Sequence, residues 1–186
     1  MSDLRYPIGK FEWIPPDDEP QMAMRRVHYL EVLSKLPARM RAAVRDLTPA
    51  QLDTPYRPEG WSVRQVVHHI PDSHLNAYVR FKLALTEDGP TIKPYREDAW
   101  AKLPDNGITP VEVSLQLLAA LHSRWIDLLA AMQPADFART LHHPEHGMLS
   151  LNQMLAMYAW HSGHHLAHIT ALRERMGWKQ RAATAS

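Results

Sequence analysis

The densest chemistry in the chain lies in one short run, Trp160-His161-Ser162-Gly163-His164-His165-Leu166-Ala167-His168. Two imidazoles four residues apart on a helix share a face, about 5–6 Å apart at Cβ, close enough to bind one metal ion together. The run holds two such pairs, His161/His165 and His164/His168. Helical phase chooses between them. At about 100° per residue, Leu151, Met154, Tyr158, Ile169, Leu172 and Met176 trace an apolar face. His165 falls at its centre and His161 within roughly 50° of it. His168 lies further out and His164 further still, toward solvent. The candidate ligand pair is therefore His161/His165.

A third ligand would come from a facing helix. The segment Val66-Val67-His68-His69-Ile70-Pro71-Asp72-Ser73-His74 offers three imidazoles. Phase ranks His69 and His74 about equally and puts His68 further off. A lone inward histidine is usually a hydrogen-bonded core residue, but several on two inward faces are costly to bury without a partner. A cation would supply that partner. Asp72, one turn from His69, stands where it could orient a ligand imidazole or act as a base; otherwise it is a solvated helix charge. Tyr158 lies one turn before the pair and is either pocket lining or core. His142, His143 and His146 occupy a turn-rich stretch and read as surface.

Other chemistries are absent. No glutamate follows His161, so the metalloprotease pattern His-Glu-x-x-His is missing. There is no Gly-rich phosphate loop and no Gly-x-Ser-x-Gly elbow. The chain has no cysteine, which excludes disulfides and thiolate ligands. A net charge of +1 over 186 residues leaves no electrostatic footprint for nucleic acid. No apolar stretch approaches the roughly 20 residues needed to span a bilayer. Met1 to Trp13 carries charge and no apolar core of a signal peptide, so the cytoplasm is expected by elimination.

The elements that must position these histidines are four helices. The first runs from about Met22 to Leu47, with Met24, Val27, Leu30, Leu33 and Leu36 on helical spacing and a kink or break expected at Pro37. The second opens on the capping box Ser62-Val-Arg-Gln65 and reaches about Glu87. The third opens on Thr109-Pro-Val-Glu112 and ends before Pro134. The fourth opens on Ser150-Leu-Asn-Gln153 and ends at Gly177. Residues 88–108 form a long crossover in which Tyr95 and Trp100 either cover a pocket or pin the loop to the bundle. A short hairpin is expected within 139–149. A weak repeat relates Leu47-Thr-Pro-Ala-Gln-Leu-Asp-Thr54 to Met132-Gln-Pro-Ala-Asp-Phe-Ala-Arg-Thr140, each followed by a glycine and a Ser-x-x-Gln helix start. The expectation is one all-α domain over residues 1–186, a four-helix bundle with an extended lead-in at 1–20 and a tail at 179–186.

Several motifs resemble those of a known family. Trp61-Ser-Val-Arg-Gln-Val-Val-His-His69, the pair His161-x-x-x-His165 and the closing Arg175-Met-Gly-Trp178 are similar to the DinB-like superfamily, and within it to the YfiT-type metal-dependent hydrolases, also described as bacillithiol transferases. Tyr6-Pro-Ile-Gly9, Gln51-Leu-Asp-Thr-Pro-Tyr-Arg57 and Arg80-Phe-Lys-Leu83 extend the likeness over nearly the whole chain. Pro71 departs from the pattern. The resemblance implies an up-down-down-up bundle, a zinc or nickel ion, and ligands His69, His161 and His165, so that His69 is preferred to His74. It also implies a homodimer and a small-molecule substrate, with a low-molecular-weight thiol among the candidates. Three imidazoles leave an ion its full charge and an open position, suited to activating water or a thiol. The expected function is a metal-dependent hydrolase or thiol S-transferase. The alternative is a non-catalytic metal-binding or interaction bundle, for which a fourth protein ligand would be the signature.

Overall fold

The computed structural model describes residues 3–13 and 19–179. In chain order its elements are α1 (Glu19–Val44), α2 (Pro49–Leu52), α3 (Val63–Thr86), α4 (Glu97–Trp100), α5 (Asp105–Ile108), α6 (Val111–Ala131), α7 (Pro134–Phe137), β1 (Thr140–His143), β2 (Gly147–Ser150) and α8 (Leu151–Arg175). The tail beyond Lys179 and the lead-in between Trp13 and Glu19 lie outside the described residues.

Contacts at the helix ends fix the directions of the bundle. Arg26 near the start of α1 donates to Asn152 at the start of α8, and Arg173 near the end of α8 donates to the carbonyls of Ala43 and Arg45 at the end of α1. These two helices are parallel. His68 meets Ser114 and His74 meets His122, so α3 and α6 are parallel as well. Arg41 late in α1 bonds Glu112 early in α6, which makes that pair antiparallel. Around the bundle, α1 neighbours α8 and α6, and α3 neighbours the same two. The result is an up-down-down-up four-helix bundle, and the parallel pair α3/α6 is what requires the long crossover through α4 and α5.

Local sequence explains the starts of α3 and α8. Ser62 Oγ accepts from Gln65 N at 3.2 Å while Gln65 Oε1 accepts from Ser62 N at 2.9 Å, and Ser150 with Gln153 repeats this at 3.2 and 2.9 Å. The box expected at Thr109 does not form. Residues Asp105–Ile108 wind a short helix of their own that Thr109 terminates, and α6 begins at Val111, with Pro110 at the N-cap and no side-chain cap. The repeat is visible in space: α2 and α7 are matching single turns, α2 opened by the Thr48/Gln51 capping box and α7 by Gln133 N donating to Asp136, and each leads through a short β contact into a long helix. β1 and β2 form the expected hairpin, pairing Thr140 with Ser150 through His143 with Gly147, and Gly147 supplies the positive φ of 73° at its turn.

Pro37 and Pro71 sit inside continuous helices. Pro37 carries no N–H, so the carbonyl of Leu33, four residues earlier, has no helical donor. In the first turns of α1 the buried positions are Met22 and Arg26, while Met24 and Val27 point outward at 76% and 68% exposure. The inward stripe settles onto Leu33, Leu36 and Met40 further along. Each such fully buried side chain contributes roughly 1.5–3 kcal/mol.

The apolar interior forms two clusters, one around Phe81, Trp125 and Leu155, the other around Met40, Val66, Leu118 and Ile169. A layer of histidines crosses the bundle between them. His74 falls between Ile70 and Ala77 on α3, His122 between Leu118 and Trp125 on α6, and His161 and His165 between Tyr158 and Leu166 on α8. No helix of the described residues is long and apolar enough to cross a membrane.

Candidate metal centre

The capping boxes at Ser62 and Ser150 set the phase of α3 and α8, and with it the convergence of three rings. His69 comes from α3, His161 and His165 from α8. One nitrogen of each lies within 4.8 Å of the other two. The Nε2 atoms of His69 and His161 stand 3.2 Å apart. Two nitrogens each about 2.1 Å from one ion, at the angles of a tetrahedral or octahedral site, are roughly 3.0–3.4 Å apart. The rings of His161 and His165 meet edge-on with centroids 4.4 Å apart, and those of His69 and His165 at 4.8 Å. Trp61, just before the cap of α3, packs on His69 at 4.6 Å and donates from Nε1 to Asp98 in the crossover.

Electrostatics keeps these rings neutral with their lone pairs available. Burial, and then the nearby His164, depresses the His69 imidazole to about 4. His161 and His165 are held well below the ordinary histidine value by the same desolvation, and then by His69 beside His161 and by His161 beside His165. Nδ1 of His165 is buried without a hydrogen-bond partner among the described residues. A divalent ion suits this donor set: neutral imidazoles bring no charge of their own, and an ion bound to three of them offsets the cost of burying their polar edges.

His74, which phase ranked level with His69, takes another part. Its Nδ1 lies 2.8 Å from His122 Nε2 and its Nε2 lies 3.2 Å from His161 Nδ1, so both nitrogens are occupied behind the trio. His68 turns away to Ser114 Oγ on α6 at 2.7 Å. His164, expected toward solvent, is buried. Trp160 stacks on it at 4.4 Å, and Tyr6 of the N-terminal segment covers it at 5.9 Å. His168 is buried too, its Nε2 donating to the Arg5 carbonyl and its ring stacked on Tyr56 at 3.9 Å. His143, expected at the surface, is buried in the hairpin and faces the site, while His142 and His146 are exposed.

The trio lines a cavity of about 500 Å³ walled by Trp61, Arg80, Tyr95, Tyr158 and Trp160. Tyr95 lines the cavity, in keeping with the first of the two parts considered for it, and contacts Trp100 of α4 in the same crossover at 4.6 Å. Arg80 is buried, and it donates to Tyr158 Oη and to the Lys93 carbonyl, both at 3.3 Å. Among the described residues it has no carboxylate partner. Asp72 does not line the cavity. It is half-buried, and burial together with Asp105 raises its carboxyl to about 6.

His122 escaped the sequence reasoning. It is the only histidine of α6, and its signal was present: it sits four residues after Leu118 and three before Trp125, on that helix's apolar face.

Relatives of the chain carry the same architecture. A Bacillus mycoides (strain KBAB4) protein bearing the name "Putative metal-dependent hydrolase" is 51% identical over 178 residues, covering 96% of this chain and all of that one. The solved structure of YfiT from Bacillus subtilis, described as a probable metal-dependent hydrolase with an unusual four-helix bundle topology, is 46% identical. It superposes with a TM-score of 0.89 over 95% of this chain and 99% of its own. A second four-helix bundle, TT2238, shares the fold at a TM-score of 0.57 and 21% identity, over 78% of this chain and 98% of its own. The model of the DinB superfamily matches residues 33–169. The chain belongs to the DinB superfamily.

Proposed function

We propose that the chain is a metal-dependent enzyme that holds one zinc or nickel ion on His69, His161 and His165 and acts on a small molecule in the cavity above them. The observation that carries this is the count and placement of donors. Three neutral imidazoles converge at the base of a cavity, and His74, which phase ranked level with His69, has both nitrogens occupied elsewhere. A structural zinc site has four protein ligands, whereas three ligands and an open position are the catalytic arrangement. This argues against the alternative of a non-catalytic metal-binding bundle. The names borne by the relatives favour the same class.

When bound, the ion would acidify a water or thiol at its open position, supplying a nucleophile near neutral pH. The chain's own residues supply the rest. Trp61, Tyr95 and Trp160 shield the site from bulk water. Arg80 presents an uncompensated guanidinium to the cavity, suited to an anionic group on the substrate. Asp72, outside the cavity lining, is not assigned a catalytic part. Hydrolysis of a small-molecule substrate is the first reading. Thiol S-transfer is the second, since a protein without cysteine would take its sulfur from a low-molecular-weight cosubstrate. A cytoplasmic homodimer is the setting the proposal assumes.

The test is metal content by plasma mass spectrometry on untagged protein, with His69→Ala, His161→Ala and His165→Ala beside wild type. About one equivalent in wild type, lost in each variant while circular dichroism is unchanged, supports the assignment. It would then justify assays of ester and amide hydrolysis and of thiol consumption. A metal-free wild type, or variants with full occupancy, would sink it.

A further inference from the structure

We propose that His74 and His122 are positioning residues for the metal centre, setting the tautomer of His161 so that Nδ1 carries its proton and the Nε2 lone pair faces the ion. This rests on the reading of His161 as a ligand.

The logic is one of donors and acceptors. A neutral imidazole has one N–H and one bare nitrogen. His74 and His122 are 0% and 2% exposed, and an imidazolium there would lack any carboxylate partner among the described residues, so both are neutral. The run starts at the Leu33 carbonyl, 2.8 Å from His122 Nδ1. A carbonyl only accepts, so His122 Nδ1 carries the proton and its Nε2 is bare. That bare nitrogen lies 2.8 Å from His74 Nδ1, which must donate. His74 Nε2 is then bare and lies 3.2 Å from His161 Nδ1, which must donate in turn. The last bare nitrogen is His161 Nε2, 3.2 Å from His69 Nε2. Running the protons the other way would set a nitrogen lone pair against a carbonyl lone pair at the first step.

The fold supplies the anchor. Pro37 has no N–H to give the Leu33 carbonyl, so that oxygen is left for His122. Leu33, His122, His74 and His161 come from α1, α6, α3 and α8 in turn. One hydrogen-bonded run thus ties all four long helices to one nitrogen at the cavity. Partners of this kind behind a metal ligand typically change metal affinity by 10–100-fold.

The experiment uses the full chain labelled with ¹⁵N-histidine, freed of metal by chelator. Long-range ¹⁵N–¹H correlation spectra distinguish the two neutral tautomers, and His161→Gln assigns the signal. His161, His74 and His122 are expected as Nδ1–H forms. In His122→Phe, His74 loses its acceptor and His161 is expected to shift toward Nε2–H. Zinc affinity, measured by chelator competition, should then fall roughly 10–100-fold. His122→Gln, whose Oε1 replaces the lost acceptor, should stay near wild type in both readouts. His161 found as Nε2–H in metal-free wild type overturns the proposal, whatever the fate of the variants. So does a folded His122→Phe with wild-type tautomer and affinity. A wild type that binds no zinc yet shows the Nδ1–H form would sink the metal reading and leave the relay standing.

Discussion

The Nε2 atoms of His69 and His161 face each other at 3.2 Å across the antiparallel helices α3 and α8. Without an ion, that approach sets a buried and a half-buried ring edge together with at most one proton to share. An ion that binds only the folded arrangement should therefore stabilise it by mass action.

Saturation at about 100 times Kd is worth about 2.7 kcal/mol. For a chain of this size that corresponds to a rise in Tm of roughly 5–10 °C. Differential scanning fluorimetry of chelator-treated protein, with and without zinc or nickel, should show the rise in wild type and not in His161→Ala. An equal rise in both would mean that the ion binds elsewhere.

Acid should unfold the metal-free protein early. Burial holds His69 and His122 at about 4 in the folded chain, against an ordinary value near 6.5 when unfolded. Between those limits the unfolded state binds more protons, so stability is full above about pH 6.5 and is lost as pH falls toward 4. Asp72 works in the opposite direction: raised to about 6, it binds its proton more readily when folded. It is one half-buried group against several enclosed imidazoles, His74 and His165 among them, which are also depressed. The urea midpoint should thus fall steadily between pH 7 and pH 4.5. A flat or rising midpoint would show that these rings are protonated in the folded state.

The three helix starts should respond differently to alanine. Ser62→Ala and Ser150→Ala each remove a cap and should cost about 1 kcal/mol. Thr109→Ala, at a site where no side-chain cap forms, should cost a few tenths at most. Urea denaturation of the three variants measures this directly. A loss at Thr109 equal to the other two would contradict the observed start of α6.

That contrast marks what could be read before the fold was known. Ser62 and Ser150 were legible because a capping box is local: donor, acceptor and spacing lie within four residues. The same spacing at Thr109 fails because residues just before it wind into α5, which a window on α6 cannot see. His161 and His165 were legible by phase, since α8 is regular and its apolar face is well marked. The choice between His69 and His74 was not, because both lie near one face of α3. What separates them is the partner each finds on another helix, a cavity for one and His122 for the other. The role of Pro37 was hidden for the same reason. The sequence predicts a kink or break there, whereas the helix continues and the freed carbonyl is met by a side chain 89 residues away.

His164 and His168 show the remaining gap, and their burial makes a prediction. Phase on α8 puts His168 off the centre of the apolar face and His164 further still, toward solvent. The N-terminal segment covers them: Arg5 accepts from His168, Tyr6 lies against His164, and Trp160 Nε1 donates to the Gly9 carbonyl. Ile8 reaches to 3.4 Å of where a Cβ on Gly163 would stand, so the segment lies close over the helix. This cover belongs to no helix of the bundle, so its removal should leave the fold intact. A variant lacking residues 1–13 should keep its helical circular dichroism while His164 and His168 become reactive to diethylpyrocarbonate. Peptide mass spectrometry would locate the adducts, with buried His74 and His122 as unreactive controls. Protection of His164 and His168 in the truncated chain would mean that neighbours on α8 and the loops bury them unaided. Reaction at His74 as well would mean that the segment holds the bundle itself together.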